Sequence, residues 1–360
     1  SAAGWRQKIN DHEEFKHMLK AVQMGRNTGL RVSPLCLGTM NFGQPGRGHQ
    51  GDWTLGIDEA RNIFKASIDH GLFYFDCADI YGVGASEEVV GKLLNELLPR
   101  DEYVLTTKVS MPMGAGANMG GLSRKHIMEG VDRSLKRLGH DYVDQLIIHR
   151  HPHGVPGQVR VPIEETLEAL HDVVKAGKAL YLGGSSMFAW QFAELQMTAT
   201  QNNWTRFVSM QNHYNLIYRE EEREMIPYCI DSGVAVTPWS PLARGILAGA
   251  YQGGFGGGST KRSMGQDRAR TESLYRGAND FAIADRVVEM ADKYGKTPAQ
   301  IALAWLMAKP GVVCPVIGVS KIKQLDDLVD AVSITLEAED ISYLEALYQP
   351  VENLLSLGAS

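Results

Sequence analysis

Eight short apolar runs alternate with eight amphipathic runs along 360 residues, and that alternation predicts an α/β chain folded as a single (β/α)8 (TIM) barrel. Two further observations agree. The first apolar run leads into LGTMNFG, which does not fit the G-x-G-x-x-G turn of a doubly wound dinucleotide fold. A chain of this length with 44% hydrophobic residues can also bury a core of barrel size.

Taken in order, residues 1–22 form an N-terminal extension and 23–360 the barrel domain. Within the extension, 11–22 (DHEEFKHMLKAV) has the spacing of a short amphipathic helix. Residues 22–31 read as a hairpin turning at Asn27, Thr28 and Gly29, placed to plug the barrel bottom. Strand-like runs lie at 33–39, 73–78, 103–109, 143–149, 179–186, 207–211, 234–240 and 313–318. Each is a short apolar stretch bounded by turn residues. Between and after them, 58–70, 86–98, 124–138, 163–176, 189–202, 221–232, 297–308 and 323–332 place apolar residues three and four apart, as one buried helix face requires. Start signals support several of these: Ser123 precedes RKHIMEG, Pro162 precedes IEETLEAL, and Thr297-Pro298 precedes AQIALAWLM. The glycine-rich stretch 243–280 reads as a long loop after the seventh strand, and 282–295 and 337–348 as extra outer helices.

Composition narrows the function classes. A net charge of -6 gives no footprint for nucleic acid, and KRSMGQDRAR (261–270) reads as a mobile loop with some anion affinity. Cys36, Cys77, Cys229 and Cys314 are scattered without a C-x-x-C pair, so neither a disulfide framework nor a zinc site is expected and a reducing compartment is. No run approaches the ~18 apolar residues that span a bilayer, and the first residues lack a signal-peptide core. The expectation is a soluble, cytoplasmic protein acting on a small molecule, with no nucleic acid or membrane partner.

In such a barrel the chemistry sits where strands end and loops begin. Those positions hold Thr39 and Met40, Asp76 and Tyr81, Lys108, His149, Ser185 and Ser186, Gln211, Trp239 and Ser240, and Gly318 to Lys321. Alone, Asp76 reads as a cap, Lys108 as a solvated strand-end lysine, and Tyr81 as a packed aromatic. Together they fall on successive strand ends, and chance placements multiply to a small number. The tract HRHPH (149–153) sets three histidines at alternate positions, but no carboxylate or thiol lies within it to complete a metal site, so no metal is expected.

The succession FDCADIYG, LTTKV, LIIHRH, GGSSMF, SMQNHYN, TPWSPLARG and VIGVSK resembles the aldo-keto reductases, from residue 23 to about 348. VSPLCLGTMNFG and VSMQNHYNLIYREEEREM are similar to the bacterial oxidoreductase branch of that superfamily. The resemblance implies an NADPH-dependent oxidoreductase that reversibly reduces an aldehyde or ketone on a (β/α)8 barrel. The alternative it leaves is a nicotinamide-binding regulatory subunit with slow turnover. Asp76, Tyr81, Lys108 and His149 match the family's catalytic tetrad: the nicotinamide gives the hydride and Tyr81 the proton, Lys108 supports the phenol, Asp76 orients Lys108, and His149 holds the carbonyl oxygen. The same mapping places Ser185, Ser186 and Gln211 on the nicotinamide carboxamide and Trp239 against the nicotinamide ring. Ser240, Pro241, Leu242, Arg244 and Gly245 would line the pyrophosphate. Gly318, Ser320, Lys321 and Gln324 would take the adenosine phosphate at a helix start. Gly38, Thr39, Met40 and Asp76 complete the implied cofactor set, and Arg262 would be a second phosphate cation if 243–280 folds over as a lid. Gln324 stands where many relatives place an arginine. The rim formed by Met40, 110–121, 150–161 and 243–280 is rich in methionine and glycine, which suits a wide, adaptable apolar pocket for bulky or sugar-like ketones.

Overall fold

The computed structural model describes residues 19–48, 53–153, 160–251, 253–265 and 267–353. The helix expected over 11–22 lies, through residue 18, outside them.

Strands β1 (Val22–Gln23) and β2 (Arg31–Val32) pair antiparallel, with Val22 opposite Val32, as the hairpin reading required. The main sheet holds β3 (Cys36–Gly38), β4 (Tyr74–Asp76), β5 (Val104–Val109), β6 (Val143–Ile148), β7 (Ala179–Ser185), β8 (Phe207–Gln211), β9 (Ala235–Val236) and β10 (Val316–Ile317). They run parallel in the order β10-β3-β4-β5-β6-β7-β8-β9. Bridges from Val236 to Val312 and Trp239 to Val316 join the two ends, and the Val316 amide donates to the Pro238 carbonyl at 2.8 Å. The sheet therefore closes on itself, and the (β/α)8 expectation holds.

Each expected strand is present, and the runs at 33–39, 234–240 and 313–318 yield only two or three strand residues each. Pro34, Pro238 and Pro315 lie inside those runs, and a proline cannot donate to the ladder. Helices cross between the strands because parallel neighbours need a long connection. The helix Arg124–Leu138 turns Ile127, Val131, Leu135 and Leu138 to the core. Ser123 accepts from the His126 amide at 3.2 Å at its start, and Gly139 ends it at φ 67. At Pro298–Met307 the cap is reciprocal, since Thr297 accepts from the Gln300 amide while Gln300 accepts from the Thr297 amide.

Two expectations need correction. The helix expected from 221 begins at Met225, after a 3-10 turn at Glu220–Glu222. The stretch 243–280 is not one long loop: it carries 3-10 turns at Ala243–Ala248 and Phe255–Gly257 and helices at Lys261–Met264 and Asp267–Leu274. Its glycines cluster before residue 259, and past them Gly265 is the sole glycine up to residue 276. Thr260 accepts from the Ser263 amide at 3.0 Å and opens the first of these helices.

The barrel bottom is sealed. Met24 and Val32, both fully buried, pack with Cys36, Tyr74, Val104, Val208, Ala235 and Cys314 at the starts of the strands. The hairpin approaches so closely that a Cβ on Gly25 (φ 73) would meet the Gly233 carbonyl oxygen at 2.6 Å. What remains open is the other end, where the strands point. The four cysteines are buried and free, and no described helix is long and apolar enough to cross a membrane.

Candidate active site

Strand β4 ends on Asp76, and β5, its neighbour, carries Lys108 two residues beyond the partner of Asp76. Both side chains are essentially inaccessible, at 1% and 0% exposure. The ammonium donates to Asp76 Oδ2 at 2.5 Å, to the Cys77 carbonyl at 2.8 Å and to the Tyr81 hydroxyl at 3.2 Å. Three protons meet three acceptors, so the buried cation is fully satisfied. Burial pulls its pKa down, but the Asp76 carboxylate and the Tyr81 phenol outweigh that and hold it above the ordinary lysine value.

Tyr81 lies in a turn after β4, its amide donating to the Ala78 carbonyl at 3.1 Å, and Gly82, Val83 and Gly84 follow it in the left-handed region. Burial raises the phenol's pKa, and the Lys108 charge pulls it back down only in part. The phenol is therefore protonated at neutral pH. His149, just past β6, stands edge-on to Tyr81 with ring centroids 6.0 Å apart. Burial, then the charges of Arg150 and Lys108, push its pKa well below the ordinary histidine value. A neutral imidazole beside a protonated phenol can hold a carbonyl oxygen between two hydrogen-bonding groups.

The remaining tetrad oxygen, Asp76 Oδ1, accepts from Gln211 Nε2 at 2.9 Å, and Ser185 donates to the Gln211 carbonyl at 3.0 Å. Thr39 donates to the Asp76 carbonyl at 3.0 Å, which ties the end of β3 to the same group. Trp239 Nε1 donates to Ser186 Oγ at 2.9 Å. Thus Gly38, Thr39, Asp76, Ser185, Ser186, Gln211 and Trp239 converge at one end of the barrel, with half-buried Met40 following β3.

Whether these residues suit a dinucleotide is tested by the backbone. Ser186, Ser240, Ala243 and Arg244 adopt φ of 45°, 54°, 48° and 55°, and Gly245 adopts 103°. Non-glycine residues rarely take such values, and they cluster here past β7 and β9, at the end of the barrel that holds Asp76 and Lys108. A Cβ on Gly318 would meet nothing within 4 Å, so the turn after β10 is open too. Lys321 is the cap of the helix Ile322–Asp330, and Gln324 Oε1 accepts from the Ser320 amide at 2.8 Å, the Ser320 hydroxyl at 3.1 Å and the Lys321 amide at 3.2 Å. The residues fit a phosphate-bearing cofactor, with a glutamine holding the amides an anion would use. Arg244 pairs with Asp267 and donates to Thr271 at 3.2 Å. Arg262 pairs with the same Asp267 and lies 4.7 Å over the ring of Trp53, in the loop after β3. Pro241 and Leu242 lie in the turn between them and Trp239, where Leu242 accepts from the Gly245 amide at 2.9 Å.

Several neighbours of the site escaped the sequence reading. His213 is stacked between Trp239 (4.1 Å) and Tyr218 (4.4 Å), with Nε2 2.8 Å from the Tyr275 hydroxyl. It props the indole from behind. Glu87 is buried on Thr107 (2.6 Å) and Arg137 (2.6 Å), and Asp79 is buried with neither carboxylate oxygen partnered. Arg150 follows His149 directly inside HRHPH, a tract dominated by its alternate histidines. Its charge, two residues past the end of β6, is the signal the sequence carries. In that tract His153 Nε2 bonds the Val161 carbonyl at 3.0 Å and His151 Nδ1 accepts from the His153 amide at 3.2 Å.

The sequence profile of the Aldo/keto reductase family matches residues 34–349. Over 349 residues the chain is 42% identical to a Schizosaccharomyces pombe protein with the provisional name aryl-alcohol dehydrogenase, covering 90% of this chain and 95% of that one. It is 42% identical to versiconal hemiacetal acetate reductase of Aspergillus parasiticus, over 90% and 96% of the two chains. It is 41% identical to aldo-keto reductase AMT2 of Alternaria alternata, over 90% of each. These relatives are fungal, not bacterial as the wording of two motifs suggested.

Proposed function

Since the chain belongs to the aldo/keto reductase family, we propose that it is an NADPH-dependent reductase of aldehydes or ketones, working reversibly, with Tyr81 as the proton donor. The observation that carries this reading is the buried Lys108 ammonium, 2.5 Å from Asp76 and 3.2 Å from the Tyr81 hydroxyl. Such a cation has little structural reason to be there, since burying an ion pair rarely stabilises a fold over an apolar pair. It has a chemical reason: as a carbonyl oxygen gains negative charge, Tyr81 gives up its proton, and Lys108 stabilises the phenolate that forms.

A bound reduced nicotinamide supplies the hydride. This chain's residues do the rest. His149, neutral, orients the carbonyl oxygen toward Tyr81. Asp76 fixes Lys108, and Gln211 fixes Asp76. Trp239, backed by His213, offers an aromatic face for the nicotinamide, while Ser185, Ser186 and Gln211 are the groups for its carboxamide. Ser240 to Gly245 would accommodate the pyrophosphate. Ser320, Lys321 and Gln324 would meet the adenosine phosphate at the helix start, with Arg262 a further cation on the strap. The names of two relatives, an aryl-alcohol dehydrogenase and a hemiacetal acetate reductase, support aryl carbonyl compounds and hemiacetal esters as a starting panel.

The test is loss of reduced-nicotinamide absorbance when the purified protein is given NADPH and that panel. Tyr81→Phe should lower kcat by about two to four orders of magnitude, the range for removing a positioned acid, and leave NADPH affinity nearly unchanged. A variant keeping more than about a tenth of wild-type turnover, with chemistry limiting, would remove Tyr81 from the proton-donor role.

A further inference from the structure

Arg150 is the one half-buried arginine beside the tetrad that has no carboxylate among the described residues. Arg100 pairs with Asp144, Arg137 with Glu87, Arg219 with Glu222 and Glu345, and Arg244 with Asp267. Among the described residues the Arg150 guanidinium makes a single hydrogen bond, from Nη1 to the carbonyl oxygen of His149, its own chain neighbour, at 2.6 Å. A guanidinium has five N–H donors in a rigid fork, so most of its capacity is unspent. None of its nitrogens is among the sealed, partnerless atoms of the interior, so the unused donors are at least partly accessible.

Its surroundings make the missing counter-ion conspicuous. The charge lies close enough to act on His149 and on His213, and it interacts with the Tyr81 phenol. Arg270, on the helix Asp267–Leu274, is close enough to act on it, is exposed, and likewise has no ion pair among the described residues. Burial first, and then Arg270, press the Arg150 pKa down to about 10 against the pull of Tyr81. It is still charged at neutral pH. Half-buried charge without a partner is costly, and two cations brought together compound that cost. The arrangement makes sense if an anion arrives with the substrate.

We propose that the substrate carries a carboxylate next to its reacting carbonyl, as in a 2-oxo acid, and that Arg150 receives it. The inference rests on the reading of Tyr81 and His149 as the groups that hold the carbonyl oxygen. Because Arg150 succeeds His149 at the same strand end, an anion on Arg150 must lie near the carbonyl and not at the far end of a long substrate. The planar fork matches a carboxylate with two parallel bonds, which also fixes the face the carbonyl presents. Arg270 adds attraction from the strap side of the cleft without needing to touch the group.

The experiment compares phenylglyoxylate with its methyl ester, which has the same ketone and no charge. Wild type should prefer the acid, and in Arg150→Gln the acid-to-ester ratio of kcat/KM should fall about ten- to a hundred-fold, the range of a charge-assisted contact. Arg150→Lys should restore part of the ratio, since charge returns without the fork. A ratio that does not change, or a loss that follows NADPH affinity in step, would overturn the inference and make Arg150 a tuner of His149 or a cofactor contact. If wild type reduces neither compound nor any carbonyl of the panel, the proposed reductase activity fails; if it reduces others of the panel but neither of these, the activity stands. The anion site is then read by quenching of tryptophan fluorescence with phenylglyoxylate: an affinity about ten-fold weaker in Arg150→Gln supports it, and equal affinities overturn it.

Discussion

Lys108 has three protons and three acceptors, and none of them can be replaced by water at 0% exposure. Lys108→Met should therefore cost about 3–5 kcal/mol in chemical denaturation, because it strands the Asp76 carboxylate in the interior, and pairing it with Asp76→Asn should recover part of that loss. The pH profile follows from the same contacts. With Tyr81 as the proposed proton donor, reduction would need the protonated phenol, whose pKa burial raises and Lys108 only partly lowers. Activity should thus be full below that pKa and fall as pH climbs through it, beyond the ordinary tyrosine value of about 10. Alcohol oxidation, which needs the phenolate, should rise over the same interval. His149, pushed far down, should give no break near the ordinary histidine value of about 6.5, so a profile with an acid limb there would contradict a neutral imidazole. These four residues were legible because each is a chemically distinctive type on a strand end. Arg150 and His213 were not, since what singles them out is a partner that is absent or a ring stacked through space, and neither relation leaves a spacing in the chain.

At the scale of elements, the helix Ile322–Asp330 is the proposed seat of the adenosine phosphate, with Gln324 folded back over the Ser320 and Lys321 amides. A phosphate must displace that glutamine oxygen or share the donors with it, which leaves Lys321 as the main source of discrimination. Lys321→Ala should lower kcat/KM for NADPH about ten- to a hundred-fold and leave NADH nearly unchanged, because the two cofactors differ only by the phosphate. Equal losses with both would assign Lys321 to the fold or the pyrophosphate. The helix was readable from its apolar spacing, whereas the cap was not, since the Gln324 contacts depend on a rotamer. The strap past β9 shows the converse failure. GGFGGG is a valid signal for irregular backbone, but it governs its own residues and not the TKRSMGQDRARTESL that follows. Helices form there at Lys261–Met264 and Asp267–Leu274, and Asp267 gathers Arg244 and Arg262 into one cluster that leans on Trp53.

For the whole molecule, the barrel separates stability from chemistry by putting them at opposite ends. The alternation of apolar and amphipathic runs sufficed to reveal the architecture, since a closed parallel sheet is the arrangement that eight such units can share. The direction in which the barrel is plugged was also foreshadowed, by a hairpin placed before the first strand. Met24 shows what that hairpin does: it is 0% exposed, and it fills the space among Tyr74, Val104, Val208 and Ala235 at the strand starts. Met24→Ala should then cost about 2–5 kcal/mol, the range for truncating a buried methionine whose surroundings cannot collapse. The strand starts are held by their ladders, and the Arg26 amide still bonds the Gly233 carbonyl at 2.8 Å, so the cavity should stay local. If stability and chemistry are indeed separate, kcat of the variant with any carbonyl substrate should match wild type well below its melting temperature, while the denaturation midpoint drops. A fall in kcat that accompanied the loss of stability would mean that strain at the bottom is transmitted along β4 and β5 to Asp76 and Lys108, and the two ends of the barrel could no longer be treated as independent.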